Sequence, residues 1–549
     1  DKVNQLHSKA CIWFDQHNYL EEAIQHAIVI DDLDRASEIL KTHRVPLLNS
    51  NNWLELGRLF SNLPSSIVNN DFELLLTEAY ILYNHAHLEK LGETVEKMNA
   101  LLEGIDTDSM LFGEYNYFKG YMMFLFEGRI AECLDCFRIA MDTIPESAPG
   151  PLALTELHYP IVAQHFGKID VVNEWLEENI AQAHKINYFR RIMFYTSHSV
   201  TNTSDAKLYL VEKYHLKGIA LSREHKEYDF LGRCLFSSGM LYLRRGEWDQ
   251  SIIFYEEVIE LKYNIHVRVV IDSLAALMVA FTMEGKADKV QEMISVLEIF
   301  TGDLDEYYRM VNWSSKIRYY CLVNDRQAVI DLLRPQPFPP LVDFVFWYDV
   351  PAITYCRALI FEGSDANLKL AEEKLNELID YATNLYNWIH VLEVYALQAI
   401  LYERLEEFEK AKEKLIKSIE ISEPSRAAGY YIELGQPMQQ LISKMPEEFK
   451  EKQIIKEIER QISKEPVNEL DKNQETFRPK VRKENLIPLT AKEIEVLKCV
   501  ADGLRNQEIA DKLYNSEATI KKHLSNMFQK LNVKNRMNLV TKAKEEGIL

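Results

Sequence analysis

The sequence predicts an all-α protein: a long stack of paired helices followed by a small four-helix domain at the carboxyl end. Three observations carry that prediction. Gly, at 19, and Pro, at 17, are each about 3% of the 549 residues. Chains so poor in turn-formers favour long helices over many short strands. Segments of one pattern recur along most of the chain, which is the mark of a repeat architecture. Charge is segregated as well. Residues 486–549 hold 11 Lys and Arg against 8 Asp and Glu, a net of +3, which leaves −24 on everything before them out of a total of −21. The composition, 47% hydrophobic and 27% charged, is that of a folded globular chain.

The clearest repeat is LFSSGMLYLRRGEWDQSIIFYEEVIELKY, in which Gly239, Tyr242, Gly246, Ser251 and Tyr255 fall at the offsets of a tetratricopeptide (TPR) hairpin. YALQAILYERLEEFEKAKEKLIKSIEISEP places Ala399, Tyr402, Ala411, Leu415 and Pro424 at nearly the same offsets. GYMMFLFEGRIAECLDCFRIAMDTIP supplies Phe124, Gly128, Phe137, Ala140 and Pro145. Weaker copies open with Ala23, Ala27 and Ala36 and run through SLAALMVAFTMEGKADKVQEMISVLE. Small residues sit where two helices cross closely, aromatics fill the groove between neighbours, and Pro ends the second helix. Residues 1–445 are therefore expected to form a TPR-like helical-repeat superhelix. Its concave face would sense an effector or hold a protein partner. Tyr319, Tyr320, Phe344, Phe346, Trp347 and Tyr348 could line that face, but the core between helices is the expected place for them.

Residues 446–485 read as a tail helix and a flexible linker. The stretch SKEPVNELDKNQETFRPKVRKEN is polar, carries two prolines and has too few apolar residues to pack a core. Four helices are expected in residues 486–549. Thr490 and Glu493 form a capping box, after which Ile494, Leu497 and Ala501 share a face that ends at Gly503. The second helix, from about Asn506 to Leu513, buries Ile509, Ala510 and Leu513. Ser516 caps a third whose apolar stripe is Ile520, Leu524, Met527 and Leu531. Asn532 closes it, and a fourth runs from about Asn535 to Glu545.

A tight turn at Tyr514 and Asn515 joins the second and third of these helices, the arrangement of a helix-turn-helix. Projected at helical spacing, Ala518, Lys521, Lys522, Ser525 and Gln529 lie opposite the apolar stripe, with Thr519, His523 and Lys530 along one flank. Cationic and hydrogen-bonding groups would thus point where base edges lie in a major groove. A solvated face on a helical cap is the other reading that charge alone allows.

LTAKEIEVL, Gly503, NQEIADKL, Ser516, TIKKHLSNMFQKLNV and the KNR at 534–536 agree in register with the LuxR-type helix-turn-helix domain of bacterial transcription regulators, which this segment resembles. The resemblance implies that Lys521, Lys522 and Ser525 read bases, with Glu517 at their edge. It also implies that Asn506, Gln507, Ser516, Thr519, His523 and Lys534 contact phosphate or orient the recognition helix. Asn515, Arg505 and Ala518 depart from the family pattern. The repeat region and the opening LHSKACIWFDQHNYLEEAIQHAIVIDDLDRASEIL resemble the sensor half of the large ATP-dependent, MalT-like members of that family. Such proteins carry an ATPase module ahead of the helical stack. No GxxxxGK[ST] run occurs here and residue 1 is Asp, so the sequence reads as a fragment without that module. ATP is then expected only for the full-length protein, and no cofactor in this chain.

Seven cysteines, an odd number thinly scattered, suit a reducing cytosol rather than a disulfide framework. Cys133 and Cys136 form a CxxC, but no second Cys or His pair stands at metal-ligand spacing, so packing is their expected role and no metal site is expected. No apolar run reaches the length of a membrane span, and the first residues lack the pattern of a signal peptide. No nucleophile motif stands out, so no catalytic residue is assigned and the chain reads as a non-enzyme. The expectation is a cytoplasmic, sequence-specific bacterial transcription regulator that binds double-stranded DNA, self-associates on it and, as the resemblance implies, activates. The alternative is a TPR-like interaction scaffold with a non-DNA-binding helical cap.

Overall fold

The structure, a computed structural model, describes residues 2–462 apart from 51, 86, 128–129, 183–186, 263–264, 303 and 342–346. Beyond residue 462 it describes 496–497, 499–501, 504, 506, 509, 520–521, 523–524, 527, 536, 539 and 542. Every regular element among the described residues is helical. The chain divides into two compact units, Asp1–Val467 and Asn468–Leu549.

Consecutive helices of the first unit pair as hairpins. Tyr228–Arg245 packs on Trp248–Glu260, and Trp388–Arg404 on Phe408–Ser422. The pattern residues do what their sizes dictate. Gly239 leaves no room for a Cβ because the Tyr255 ring lies against it, and Tyr255 is fully buried. Gly246 follows in the left-handed conformation at φ 77°, turning the chain into the second helix. Ala399 and Ala411 are buried at the equivalent crossing, as are Ala23, Ala27 and Ala36 at the amino end. In the hairpin of Met110–Met122 and Ile130–Thr143, Gly120 lies against Cys136 and Phe137, and Cys133 and Cys136 are both buried. The link contains a π-helical turn, Met123–Glu127.

First helices of successive hairpins also touch one another, from Pro149–His165 through Tyr188–Ser204, Tyr228–Arg245, Val267–Met283, Glu306–Leu322 and Pro351–Glu362 to Trp388–Arg404. Tyr188–Ser204 also touches Trp388–Arg404 directly. The inner layer is consequently enclosed: fifteen of seventeen residues are buried in Pro149–His165 and fourteen of seventeen in Tyr188–Ser204. In the outer helix Trp248–Glu260 only Ser251, Ile252, Tyr255 and Val258 are buried, one amphipathic stripe. A cavity of about 50 Å³ remains in the inner layer, bordered by Tyr83, Tyr121, Phe124, His158, Arg233 and Trp347. Trp347, Tyr348 and Tyr319 are core as expected, Trp347 also bordering the cavity, and Phe344 and Phe346 lie outside the described residues.

Enclosing polar side chains costs free energy unless each finds a partner. In TSHSVTNTS, Thr196, Ser199, Thr201 and Thr203 donate to the carbonyls four residues back, at 2.8–3.0 Å. Ser197 donates across to the Leu157 carbonyl at 2.9 Å. Charges are paired in the same way. Arg44, 1% exposed, donates to Glu114 through both terminal nitrogens at 3.1 and 2.5 Å and to Glu73 at 2.9 Å.

Candidate nucleic-acid interface

The second unit is built on one apolar cluster: Val496, Leu497, Cys499, Val500, Ile509, Ile520, Leu524, Met527 and Leu539, with Leu504 against it. The spacing of Ile520, Leu524 and Met527 explains the third helix. Residues four and three apart share a face, so burying that face fixes the rotation of the helix about its axis. Lys521, one residue past Ile520, is turned out and exposed, and His523, flanking the stripe, is half-buried. A cation is thereby presented on the side away from the core, where it can meet a polyanion.

One part of the sequence reading needs correction. Ala501 was expected on the buried face of the first helix with Leu497, yet it is exposed, while Val496 and Val500 are buried. The apolar stripe is centred on Val496, Leu497 and Val500, and Ala501 falls at its edge with a side chain too short to reach the core.

Of the residues expected to contact DNA, the structure places Lys521, His523 and Asn506. Glu517, Lys522, Ser525, Gln507, Ser516, Thr519 and Lys534 lie outside the described residues, as do Leu531 of the apolar stripe and the Thr490–Glu493 capping box. Asn506 is half-buried, and its Oδ1 accepts from Nη1 of Arg536 at 3.0 Å. The other arm of Arg536 donates to the backbone carbonyl of Leu504. One guanidinium thus ties the loop after the first helix and the first residue of the second to the fourth. Arg536 stands in the KNR motif at 534–536, which by itself implies no role for it. The only signal for one was its presence in that motif, because its partners lie 30 and 32 residues earlier.

Comparison with known proteins agrees with both units. Residues 113–448 match the MalT-like TPR region and residues 487–543 the luxR family of bacterial regulatory proteins. The HTH-type transcriptional regulator MalT of Cronobacter sakazakii is 21% identical over 579 aligned residues, covering 99% of this chain. The chain spans 62% of that relative's length. Among solved structures, the P58(IPK) TPR domain aligns over 75% of this chain and 99% of its own at 12% identity, with a TM-score of 0.23 that carries no argument about shape. A TPR-like region is thus followed by a helix-turn-helix domain of DNA-binding regulators.

Proposed function

The chain belongs to the MalT-like TPR family and ends in a luxR-family domain, and from that premise we propose that it is an effector-responsive, sequence-specific activator of transcription. The observation that carries the reading is the orientation of the third helix, whose apolar stripe is buried and whose Lys521 faces solvent. In this reading Lys521, Lys522 and Ser525 read base edges with Glu517 beside them. Asn506, Gln507, Ser516, Thr519, His523 and Lys534 fix the head on the phosphates. Since Arg536 engages the Asn506 carbonyl oxygen, the side-chain amide NH₂ is the group that would meet a phosphate.

Domain limits of 1–445, 446–485 and 486–549 divide the work into sensor, connection and head. The enclosed interior of the repeats, with its cavity, supports the sensing role. A single head is a small interface, so specificity comes from two heads on paired half-sites, which makes self-association part of the proposal. The chain acts by binding rather than catalysis, in the cytoplasm. Among the described residues no helix is long and apolar enough to cross a membrane.

The test is duplex binding by the full chain across a salt series, on sites selected from a random library. Log affinity should fall linearly with log salt. Lys521→Ala with Lys522→Ala should weaken binding and relax base preference, whereas Lys534→Ala, which removes a phosphate contact, should flatten the slope by about one. Absence of duplex binding, or binding untouched by the double change, would turn the reading to the scaffold.

A further inference from the structure

A cluster of paired charges lies inside the repeat unit. Arg318 meets Glu433 as a fork, Nε donating to Oε1 at 2.7 Å and Nη2 to Oε2 at 2.8 Å. Arg357 donates to the same Oε1, and the Tyr348 hydroxyl donates to Oε2 at 3.3 Å. Beside them Arg244 pairs with Glu393, which also meets His390 Nδ1 at 3.0 Å. All these side chains are buried. Burial pushes the Glu433 pKa up, but Arg318 and Arg357 outweigh it and hold the carboxyl well below the usual carboxylate range.

Two features set this carboxylate apart from an ordinary buried ion pair. The first is its delivery. Glu433 ends a five-residue helix, Gly429–Glu433, entered through a 3-10 turn, Glu423–Ser425, and through Arg426 in the left-handed region at φ 54°. The segment reaches back across the repeats. Ser425 Oγ donates to the Ala206 carbonyl at 2.5 Å and accepts from the Leu208 amide at 2.9 Å. Gly429 lies against the Leu243 carbonyl so closely that no side chain fits there. The helix Gln453–Ile462 packs on this strap.

The second feature is unused donor capacity. Arg357 Nη2 and Arg244 Nε and Nη2 are buried with no hydrogen-bond partner among the described residues. A carboxylate does not exhaust the donors that converge here. Moreover, the fork is held in place without the strap. Arg318 donates to the Tyr348 carbonyl at 3.1 Å, lies 3.5 Å from Asp349 and sits 4.1 Å over the Tyr348 ring. A planar guanidinium held in this way suits any carboxylate or phosphate.

We propose that Arg318 and Arg357 form an oxyanion site which the chain occupies with its own Glu433, and that a ligand bearing a carboxylate or a phosphate monoester takes the site by displacing the Glu423–Glu433 strap. Vacating the site would leave Arg357 buried without its carboxylate and Arg318 with Asp349 alone, which is strongly unfavourable. Exchanging one oxyanion for another keeps the charges paired and adds acceptors for the unused donors. The freed strap leads in sequence through Gln453–Ile462 to the DNA-binding end, so its release is a route from ligand to head. Only that last step rests on the regulator reading.

The full chain and its Glu433→Gln variant are titrated with inorganic phosphate and with succinate, against chloride at matched ionic strength, by calorimetry. The variant should bind one probe saturably and more tightly than the parent, on the order of a hundredfold. In the parent, saturating probe should speed amide hydrogen exchange in residues 423–433 and 453–462. Succinate alone assigns the site to carboxylates and phosphate alone to phosphate monoesters. A folded variant that binds neither, or an effect that chloride reproduces, overturns the proposal. Should the variant fail to fold, an unchanged exchange pattern in the parent does so. Faster exchange with unaltered DNA affinity would leave the site standing and remove its link to the head.

Discussion

The third helix of the carboxyl-terminal unit and the inner helix Tyr188–Ser204 carry similar text, TIKKHLSNMFQK and TSHSVTNTS, with polar groups on most turns. Their fates are opposite. In the first, an apolar stripe of Ile520, Leu524 and Met527 is buried and Lys521 is exposed. In the second, every residue from Ile192 to Ser204 is buried. The difference teaches that a polar run names no surface by itself. What decides is whether neighbouring elements close over it, and whether the enclosed groups can satisfy one another. Thr196, Ser199, Thr201 and Thr203 do so by bonding to their own helix, Ser197 by reaching the Leu157 carbonyl, and Arg44 by pairing with Glu114. Lys521, over which no neighbouring element closes, stays exposed.

Enclosure should make the inner layer sensitive to the loss of one partner. Glu114→Ala leaves Arg44 buried with only Glu73, and breaking a buried pair costs roughly 3–5 kcal/mol. The expected outcome is a large drop in the urea midpoint of the repeat unit with DNA affinity unchanged. A surface-sized effect, under about 1 kcal/mol, would mean that the pair is not enclosed as described.

The same contrast extends to pH. Burial drives the His158 pKa from 6.5 down to about 4, with a bond to the Leu154 carbonyl opposing and Arg233 assisting. Unfolded, this imidazole takes a proton near pH 6.5, and folded only near pH 4. Its contribution to stability is therefore fully present above the unfolded value and is lost as the pH falls toward the folded one, by about 3 kcal/mol. Asp272, pushed up to about 6 by burial, acts in the opposite sense over part of that window. The single-group effect is therefore read as a difference between the parent and His158→Gln. That difference should shrink between pH 6.5 and 4. A difference that stays constant with pH would break the comparison.

These features were not equally legible in the sequence. The hairpins were, because close crossings demand small residues at fixed offsets, and outer helices such as Trp248–Glu260 show one apolar stripe. Ile520, Leu524 and Met527 of the third carboxyl-terminal helix were legible for the same reason. The inner layer was not: a helix buried on all sides has no periodicity to read, so a concave sensing face was expected where most of the interior is closed. Nor was the oxyanion cluster, whose partners stand 76 to 149 residues apart and share no motif. Long-range pairs of this kind exist only once the stack has closed.

Arg536 gives the smallest expected effect and the sharpest discrimination between the two units, since it joins elements by hydrogen bonds rather than by enclosure. It is half-buried and spends one arm on Asn506 and the other on the Leu504 carbonyl. Lysine at this position keeps the charge but cannot reach both acceptors at once, because its ammonium is a point and not a fork. Arg536→Lys should therefore cost about 1–2 kcal/mol of stability in the carboxyl-terminal unit. It should lower duplex affinity by about tenfold, with the slope against salt unchanged because no phosphate contact is removed. Arg536→Ala should lose much the same, since the geometry is what matters. Were lysine to match arginine in both measurements, charge alone would explain the residue, and the two-armed tie between helices would have no part in holding Asn506 toward DNA.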